Sequence, residues 1–291
     1  MYNLGEIFKK IRNTKNLTLQ EVAGEDFSVS MLSKFENGKT EISAEKLNKA
    51  LSNMRVSIEE FYYLAQGLEN DEFINLYSKS KRYKNKGNLE GLKKLYQLEL
   101  NLFENKKYGK YHLLNSIIIA NEINSLDEKF VIPKEHLKIL HDYLFGIDMW
   151  GQYEMILMSS IVSFTNARIY MNYAREMIKN VDYLINVGSI LNSVQIVVLH
   201  GLSLCIEEDY EFGVDYFYKK SKEYILGSRD VHMVIVFMFF EGEYYIYKGN
   251  IEKGKEKIEK GIEIFKSIGD FNSVNYYQKA YNNILKKLEE K

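Results

Sequence analysis

The sequence predicts an all-α protein in two parts, a five-helix domain over residues 1–67 and a helical-repeat domain over residues 68–291. Three observations support this fold class. The chain contains a single proline, which favours helices over loop-rich or β architecture. Apolar residues recur three and four positions apart through most of the chain. Serine or threonine precedes several of these periodic segments, where its hydroxyl can cap a helix.

The first two helices follow from spacing and capping. Residues 4–15 carry apolar side chains at helical spacing, at Leu4, Ile7, Phe8 and Ile11. Thr18 predicts the start of a second helix that runs to Ala23, because Glu21 completes a capping box. A tight turn over residues 24–27 then separates this helix from the next one.

Three more helices complete the first domain. Ser28, Ser43 and Ser57 each stand where an N-cap is expected. The residues predicted to face inward are Val29, Leu32 and Phe35 in the third helix, Leu47, Ala50, Leu51 and Met54 in the fourth, and Ile58, Phe61 and Leu64 in the fifth. Five helices of this length make one compact domain that ends near Gly67.

Longer helical segments follow, and two of them are alike. The segments YEFGVDYFYKKSKEYI and IEKGKEKIEKGIEIF both follow turn residues, and their starts lie 41 positions apart. This separation is near the period of helix-pair repeats. Stacked helix pairs similar to tetratricopeptide repeats would leave a concave face. An ordinary helical bundle is the alternative.

Charge and cysteine content exclude several classes of protein. The formal net charge is −1, and residues 1–67 carry equal numbers of basic and acidic side chains, so a nucleic-acid reading depends on where the charges lie. Cys205 is the only cysteine, which excludes an intrachain disulfide and a zinc site built on several thiolates. The N-terminus lacks the apolar run of a signal peptide, and the apolar stretch 233–240 is too short to span a membrane. We therefore expect a cytoplasmic protein with no membrane partner.

An enzyme is not expected. The five histidines are dispersed, no glycine-rich phosphate loop is present, and Cys205 has no evident activating neighbour. The sequence accordingly predicts no catalytic residues, no cofactor and no metal site.

The segments RNTKNLTLQEVA and SMLSKFENGKT resemble the helix-turn-helix of the Xre and phage-repressor type. More narrowly, VAGEDFSVSMLSKFE resembles the start of the Rgg family of transcription regulators, and WGQYEMILM resembles that family's helical domain. Rgg proteins are peptide-pheromone receptors of low-GC Gram-positive bacteria. The resemblance implies a quorum-sensing regulator that binds double-stranded DNA and a short hydrophobic signalling peptide.

The third helix is then the recognition helix, and the resemblance implies its contacts residue by residue. Val29, Ser30 and Lys34 would face base edges. The resemblance and side-chain chemistry together predict phosphate or backbone contacts at Ser28, Ser33, Asn37, Lys39 and Arg12. Arg12 would also form a salt bridge with Glu36. Leu19 departs from the family, which often has a phosphate-gripping glutamine at this position.

Simpler roles stay open for these residues. Ser28 could act only as an N-cap, Val29 could belong to the core, and Lys34 and Lys39 could be solvated surface. The whole module could serve protein contacts instead of DNA.

The peptide site is predicted from polar side chains within apolar helices. An extended peptide has unpaired backbone groups, and an asparagine offers both donors and an acceptor. The predicted ligands are Asn121, Asn166, Arg168 and Asn192, with Asn124 and Gln195 as further candidates. The alternative is that they cap helices or lie on the surface. The stretch VHMVIVFMFFEGEYY could supply pocket walls or, alternatively, core between helices.

The leading hypothesis is a homodimeric transcription regulator controlled by a peptide on the concave face of its repeat domain. Because the first domain contains no cysteine, its dimer would be non-covalent. The alternative is a helical-repeat adaptor that recruits a protein partner without binding DNA.

Overall fold

The computed structural model is helical and confirms the all-α fold class. It describes residues 4–25, 27–66, 72–105, 109–181 and 188–290, and no strand occurs within these ranges. Internal contacts divide the chain into two compact units, residues 1–79 and residues 80–291. The predicted boundary between residues 67 and 68 lies outside the described residues.

Five short helices lie in the predicted order within the described residues 4–66. They are α1 Leu4–Thr14, α2 Leu19–Ala23, α3 Val29–Glu36, α4 Ala44–Asn53 and α5 Ile58–Gln66. Thr18 and Glu21 form the predicted capping box at the start of α2. Ser28 and Ser43 cap α3 and α4 through their hydroxyl oxygens, and Ser57 accepts from the backbone N–H of Glu60. The capping rules therefore locate the start of every helix after the first.

The core of this unit is aromatic at its centre. Phe8 packs edge-to-face against Phe35 and Phe61, with ring centroids 5.4 Å and 6.3 Å away. The prediction that Leu64 faces inward is wrong, because its side chain is 55% exposed. In α5 the buried side chains are those of Phe61 and Ala65, which lie about one helical turn apart. Leu64 lies outside the stripe that these two residues define and faces solvent.

Eleven further α-helices lie in the described part of the remaining chain. They are α6 Glu72–Asn85, α7 Leu89–Asn105, α8 Lys110–Asn124, α9 Lys134–Phe145, α10 Gln152–Ser160, α11 Ala167–Asn180, α12 Gly188–Glu207, α13 Glu211–Leu226, α14 Val231–Tyr247, α15 Ile251–Ser267 and α16 Phe271–Glu289. The division between the two units falls inside α6. Helices α8, α10, α12 and α14 form a row in which each packs on the next.

Glycines fix how closely the paired helices α12–α13 and α14–α15 approach. An added Cβ at Gly213 would lie 2.5 Å from Sγ of Cys205, and one at Gly254 would lie 2.5 Å from a side-chain carbon of Ile246. Both distances are too short for a methyl group. The two glycines are 41 positions apart, and so are the two residues that they contact. The predicted repeat is therefore present as one packing arrangement used twice.

A second pair of glycines has the same spacing on the facing helices. Gly201 packs against the ring of Phe217, and Gly242 packs against Ile258 and the backbone of Gly254. In each helix pair, a glycine of the first helix faces a side chain of the second helix, and a glycine of the second helix faces a side chain of the first. The two side chains occupy the space that the two glycines leave.

Helix α12 is more apolar than the sequence analysis recognised. Its residues 190–207 are long and apolar enough to cross a membrane by length and composition alone. In the structure α12 packs against α10, α11, α13 and α14, and 56% of this window is buried. The helix is thus the central element of the second unit.

Candidate functional site

The surface of α3 carries the predicted DNA-contacting residues. Leu32 and Phe35 are buried and anchor the helix, while Ser30 and Lys34 are exposed one turn apart and Ser33 is half-buried. Val29 is 39% exposed, so the prediction that it faces inward with Leu32 and Phe35 is wrong, and the alternative that it belongs to the core is removed. One face of α3 therefore holds the domain together, and the opposite face presents small polar and basic side chains.

Ser28 fixes the first turn of α3. Its Oγ accepts a hydrogen bond from the backbone N–H of Met31 at 3.3 Å. The N-cap role is confirmed, and the side chain is also exposed. The neighbouring N–H groups at the start of the helix can meet an anion, as free amide groups at helix N-termini commonly do.

Asn37 closes the other end of α3. Its side-chain amide donates to the carbonyl oxygen of Ser33 at 2.7 Å, and its Oδ1 accepts from Nζ of Lys9 at 3.2 Å. Lys39 is exposed just beyond this end. The sequence analysis placed Lys9 in a basic cluster but did not count it as a site residue. The hydrogen bond to Asn37 connects it to the recognition helix.

Arg12 lies beneath this surface rather than upon it. Its Nε and Nη2 donate to the two carboxylate oxygens of Glu36 at 2.6 Å and 2.9 Å, and its Nη1 donates to the carbonyl oxygen of Leu17 at 2.6 Å. The hydrogen bond to Glu36 raises the pKa of Arg12 above its usual value. The predicted salt bridge is confirmed, with the two side chains only 11% and 3% exposed.

Gly5 allows α1 to approach α3 closely. A Cβ at this position would lie 1.9 Å from the carbonyl oxygen of Phe35, which no side chain can tolerate. The contact and the Arg12–Glu36 pair both join α1 to the last turn of α3. The recognition helix is thus held along α1 by a close backbone contact and by a buried ion pair.

Lys46 is a site candidate that the sequence analysis missed. Its Nζ lies 3.7 Å from Sδ of Met31, which places the ammonium group beside the first turn of α3. Lys46 also belongs to the first turn of α4, which Ser43 caps. The sequence contained one signal for this residue. It is a basic side chain in the first turn of a capped helix, and that helix follows the recognition helix.

Leu19 is half-buried and packs against the core of the first unit. The apolar residue at this position therefore has a structural role. It offers no polar group to DNA, in agreement with the departure noted in the sequence.

The predicted peptide ligands have separate neighbours in the second unit. Asn121 accepts a hydrogen bond from Ser163 at 3.4 Å, and Asn166 caps α11 by accepting from the N–H of Ile169. The guanidinium of Arg168 lies 5.3 Å from the ring centroid of Tyr210. Asn192 is exposed on α12. The capping alternative is thus confirmed for Asn166, and the contacts do not join the four residues into one site.

The two further candidates hold backbone in place. Asn124 donates to the carbonyl oxygen of Phe130, and Gln195 donates to the carbonyl oxygen of Tyr224 at 2.9 Å. The apolar stretch of α14 forms core, since its residues Met233, Ile235, Val236 and Phe237 belong to one buried cluster. The core alternative is therefore confirmed for these residues, while Glu243 of the same stretch lines a groove.

A large groove lies along the second halves of α12, α14 and α16. Its volume is about 1140 Å³, and each helix contributes three residues with the spacing of a single helical face. These residues are Ser203, Ile206 and Glu207 on α12, Glu243, Ile246 and Tyr247 on α14, and Ile284, Lys287 and Leu288 on α16. None was a predicted ligand. The spacing within each helix is visible in the sequence, but nothing there indicates that these three helices come together.

Comparisons with known proteins agree for both units. Residues 93–279 match the family model described as the C-terminal domain of the HTH-type transcriptional regulator Rgg, and residues 8–61 match a helix-turn-helix family model. The Streptococcus dysgalactiae SHP pheromone receptor Rgg2 is 23% identical, with a TM-score of 0.79 over 96% of this chain and 99% of that chain.

Two further solved structures have the same fold. A protein from Listeria monocytogenes EGD-e is 20% identical, with a TM-score of 0.84 over 99% of both chains. The PrgX/cCF10 complex is 17% identical, with a TM-score of 0.75 over 97% of this chain and 100% of that chain.

Proposed function

Since the chain belongs to the Rgg family of helix-turn-helix transcriptional regulators, we propose that it binds double-stranded DNA through α3 and that a short peptide controls this binding. The exposed face of α3 is the observation that carries the proposal. Ser30 and Lys34 project from a helix whose two ends are fixed by Ser28 and Asn37. A helix held in this way can enter a major groove without losing its own position.

The side chains of α3 have the chemistry of base readout. Lys34 can donate to the acceptors of guanine, Ser30 can donate or accept, and Val29 can contact a thymine methyl group. Ser28 and Ser33 border this face, so their hydroxyls lie where phosphates would pass. The net charge of the whole protein is only −1, so overall charge does little to attract the protein to DNA. The side chains of α3 therefore supply both the orientation on DNA and the sequence specificity.

Basic groups around α3 supply the contacts to the DNA backbone. Lys39 follows the helix, Lys9 is bonded to Asn37, and Lys46 lies beside Met31. Arg12 uses three of its five N–H groups within the protein, so we assign it mainly to positioning α1 against α3. Asn37 supports the interface by connecting Lys9 to the end of the recognition helix.

A peptide is the proposed signal. Rgg2 of Streptococcus dysgalactiae is a pheromone receptor, and PrgX has been solved in complex with cCF10. The second unit offers the row of helices α8, α10, α12 and α14, with Asn121 and Asn192 on its members, and the groove across α12, α14 and α16. We expect a short hydrophobic peptide to bind a concave face of this unit, where it shifts the population of DNA-competent arrangements.

A non-covalent homodimer in the cytoplasm completes the proposal. A dimer can place two recognition helices in successive major grooves, about one helical turn of DNA apart. Cys205 is buried, and burial raises the pKa of its thiol to about 12, so an intersubunit disulfide through this residue is not expected.

Fluorescence anisotropy with DNA flanking the protein's own gene tests the DNA-binding part. We expect sequence-preferential binding that weakens as salt rises, because lysine contacts to phosphate release counterions. Lys34→Ala should reduce the discrimination between the preferred and scrambled DNA by about 1–3 kcal/mol. Wild-type protein that binds neither DNA at low salt would favour the adaptor function instead.

A further inference from the structure

The buried carboxylates of the second unit have partners. Glu99 accepts from His112 and Asn115, at 2.9 Å and 3.0 Å. Glu122 is fully buried and pairs with Nζ of Lys81 at 2.7 Å and Nζ of Lys84 at 3.2 Å. Glu241 forms an ion pair with Lys257 and accepts a hydrogen bond from the hydroxyl group of Tyr218. Such pairing is the rule for charges removed from water.

Glu243 departs from this rule. Glu243 lines the groove, and its Oε2 is buried and has no hydrogen-bond partner. Unlike Glu122, it also has no ion-pair partner within 4 Å among the described residues. Burial raises the pKa of Glu243 to about 8, Lys287 acts in the opposite direction, and Glu207 raises it further. Lys287 lines the groove but does not supply a hydrogen bond to this oxygen. An acceptor is thus left without a donor in a groove whose lining also includes the apolar side chains of Ile206, Ile246 and Ile284.

We propose that Glu243, with Glu207 beside it, binds a cationic group of the signalling peptide, which is either its N-terminal ammonium or a lysine or arginine side chain. The inference rests on the proposed peptide response and adds the charge and the place of one recognition contact. A ligand cation would give Oε2 the donor that the protein withholds, and apolar peptide side chains would cover the isoleucines. A volume of about 1140 Å³ accommodates several residues of an extended peptide.

The groove is charged in the direction that this ligand requires. Its acidic residues are Glu207, Asp209, Glu211, Glu243 and Glu290, and its basic residues are Lys248 and Lys287. Lys248 is already paired with Glu211 and Asp215, at 3.1 Å and 3.0 Å. Near and above pH 8, where Glu243 is ionised, the negative charges of Glu207 and Glu243 outweigh the positive charge of Lys287, which is the basic residue of the groove that a ligand cation would meet there.

Four synthetic heptapeptides test the proposal on the full chain. They share one sequence composed of Leu, Ile, Val and Gly and differ only in the groups named next. One has a free amino terminus and one is acetylated. A third is acetylated with lysine at an internal position, and the fourth has norleucine there. Isothermal titration calorimetry at pH 8, where Glu243 is partly ionised and the lysine side chain is charged, should show at least one cationic peptide binding about tenfold or more tightly than its neutral match. Which of the two does so identifies the source of the cation.

Glu243→Gln should abolish this preference and leave the affinity for the neutral peptides unchanged. Glu256→Gln on α15 is the matched control, because its side chain is exposed and does not line the groove. Lys287→Met should strengthen binding of the cationic peptides by removing a repulsive charge.

Equal binding of cationic and neutral peptides by the wild type overturns the inference and leaves the proposed peptide response intact. A preference that survives in Glu243→Gln overturns it as well. Binding of none of the four peptides also counts against it, and the DNA titration then judges the DNA-binding part of the proposed function separately.

A stability measurement without any ligand provides a second readout. The folded chain holds the Glu243 proton more tightly than the unfolded chain, whose usual pKa is 4.5. As the pH rises from about 4.5 to about 8, the wild-type protein should therefore lose stability relative to Glu243→Gln. The gap, which is the difference between the two proteins in the free energy of unfolding, should be constant above that range. Urea midpoints at pH 5 and pH 8 measure the gap. An unchanged gap would mean that Oε2 is not short of a partner.

Discussion

Side chains around α3 in residues 1–79 use their hydrogen bonds to hold one helix in place, whereas the groove in residues 80–291 keeps a carboxylate oxygen without a donor. Ser28, Asn37 and Arg12 each bond to backbone or to a neighbouring side chain. Glu243 does not satisfy Oε2 in this way. A rigid partner such as DNA requires a surface fixed in advance, and a small ligand can complete a site that is left open. Four experiments test this difference between the two units.

The largest effect is expected for Arg12→Met, which leaves the 3%-exposed carboxylate of Glu36 without its partner. We expect a loss of about 3 kcal/mol or more in the free energy of unfolding, because an unpaired buried charge is costly. The double variant Arg12→Met/Glu36→Met should regain most of this loss. Urea unfolding followed by circular dichroism measures both variants.

DNA affinity of the double variant separates two roles for Arg12. Affinity that recovers together with stability indicates that the guanidinium positions α1 against α3. A deficit that persists for every DNA sequence, with stability restored, would instead show a direct contact with phosphate.

The second experiment applies the same logic to the other unit. Lys81→Met together with Lys84→Met leaves the fully buried Glu122 with no cation, and we expect a cost of about 2–3 kcal/mol. Either change alone should cost less, because the other lysine still pairs with the carboxylate. A double variant as stable as the wild type would show that this ion pair is not a source of stability, unlike the pair under α3.

The third experiment tests the close approach of α1 and α3. In Gly5→Ala the added methyl group would lie 1.9 Å from the carbonyl oxygen of Phe35, so the two helices must separate. We expect destabilisation by about 2 kcal/mol and weaker DNA binding. Gly227→Ala is the control, because its Cβ would come no closer than 3.5 Å to other atoms. Normal stability of Gly5→Ala would contradict the rigid support of α3.

The smallest effect is expected for Lys9→Ala. Loss of one ammonium group near the end of α3 should weaken binding to all DNA sequences alike, by about 0.5–1 kcal/mol, and should reduce the salt slope by about 1. Lys10→Ala is the matched control, because Lys10 faces the other side of α1 with Arg55 and Leu64. Equal effects of the two changes would indicate attraction by bulk charge and not by placement.

The sequence predicted the first unit nearly completely, because caps act over three or four residues. Thr18, Ser28, Ser43 and Ser57 marked the helix starts, and the Arg12–Glu36 pair followed from family resemblance. Leu64 was misplaced because spacing alone cannot distinguish two adjacent stripes on a short helix. Lys46 was missed because it approaches α3 only through the packing of another helix.

The groove could not be predicted by the same reasoning. Nine of its residues belong to three helices, α12, α14 and α16, between positions 203 and 288, and only tertiary packing aligns them. Asparagines were chosen for their ability to hold a peptide backbone, yet Asn166 caps a helix and Asn124 holds a loop carbonyl. Polar residues in apolar helices have several uses, and their partners distinguish these uses.

The glycines that bring α12 against α13 and α14 against α15 set the spacing of the helices and are not part of the proposed ligand site. They lie between the members of each helix pair and do not line the groove, although Ile246 both contacts Gly254 and lines the groove. Substitutions in the groove can therefore change the preferred ligand without changing the spacing of the helices. Related receptors with one scaffold could diverge in the signals they answer by exchanging a handful of side chains such as Glu207, Glu243 and Lys287.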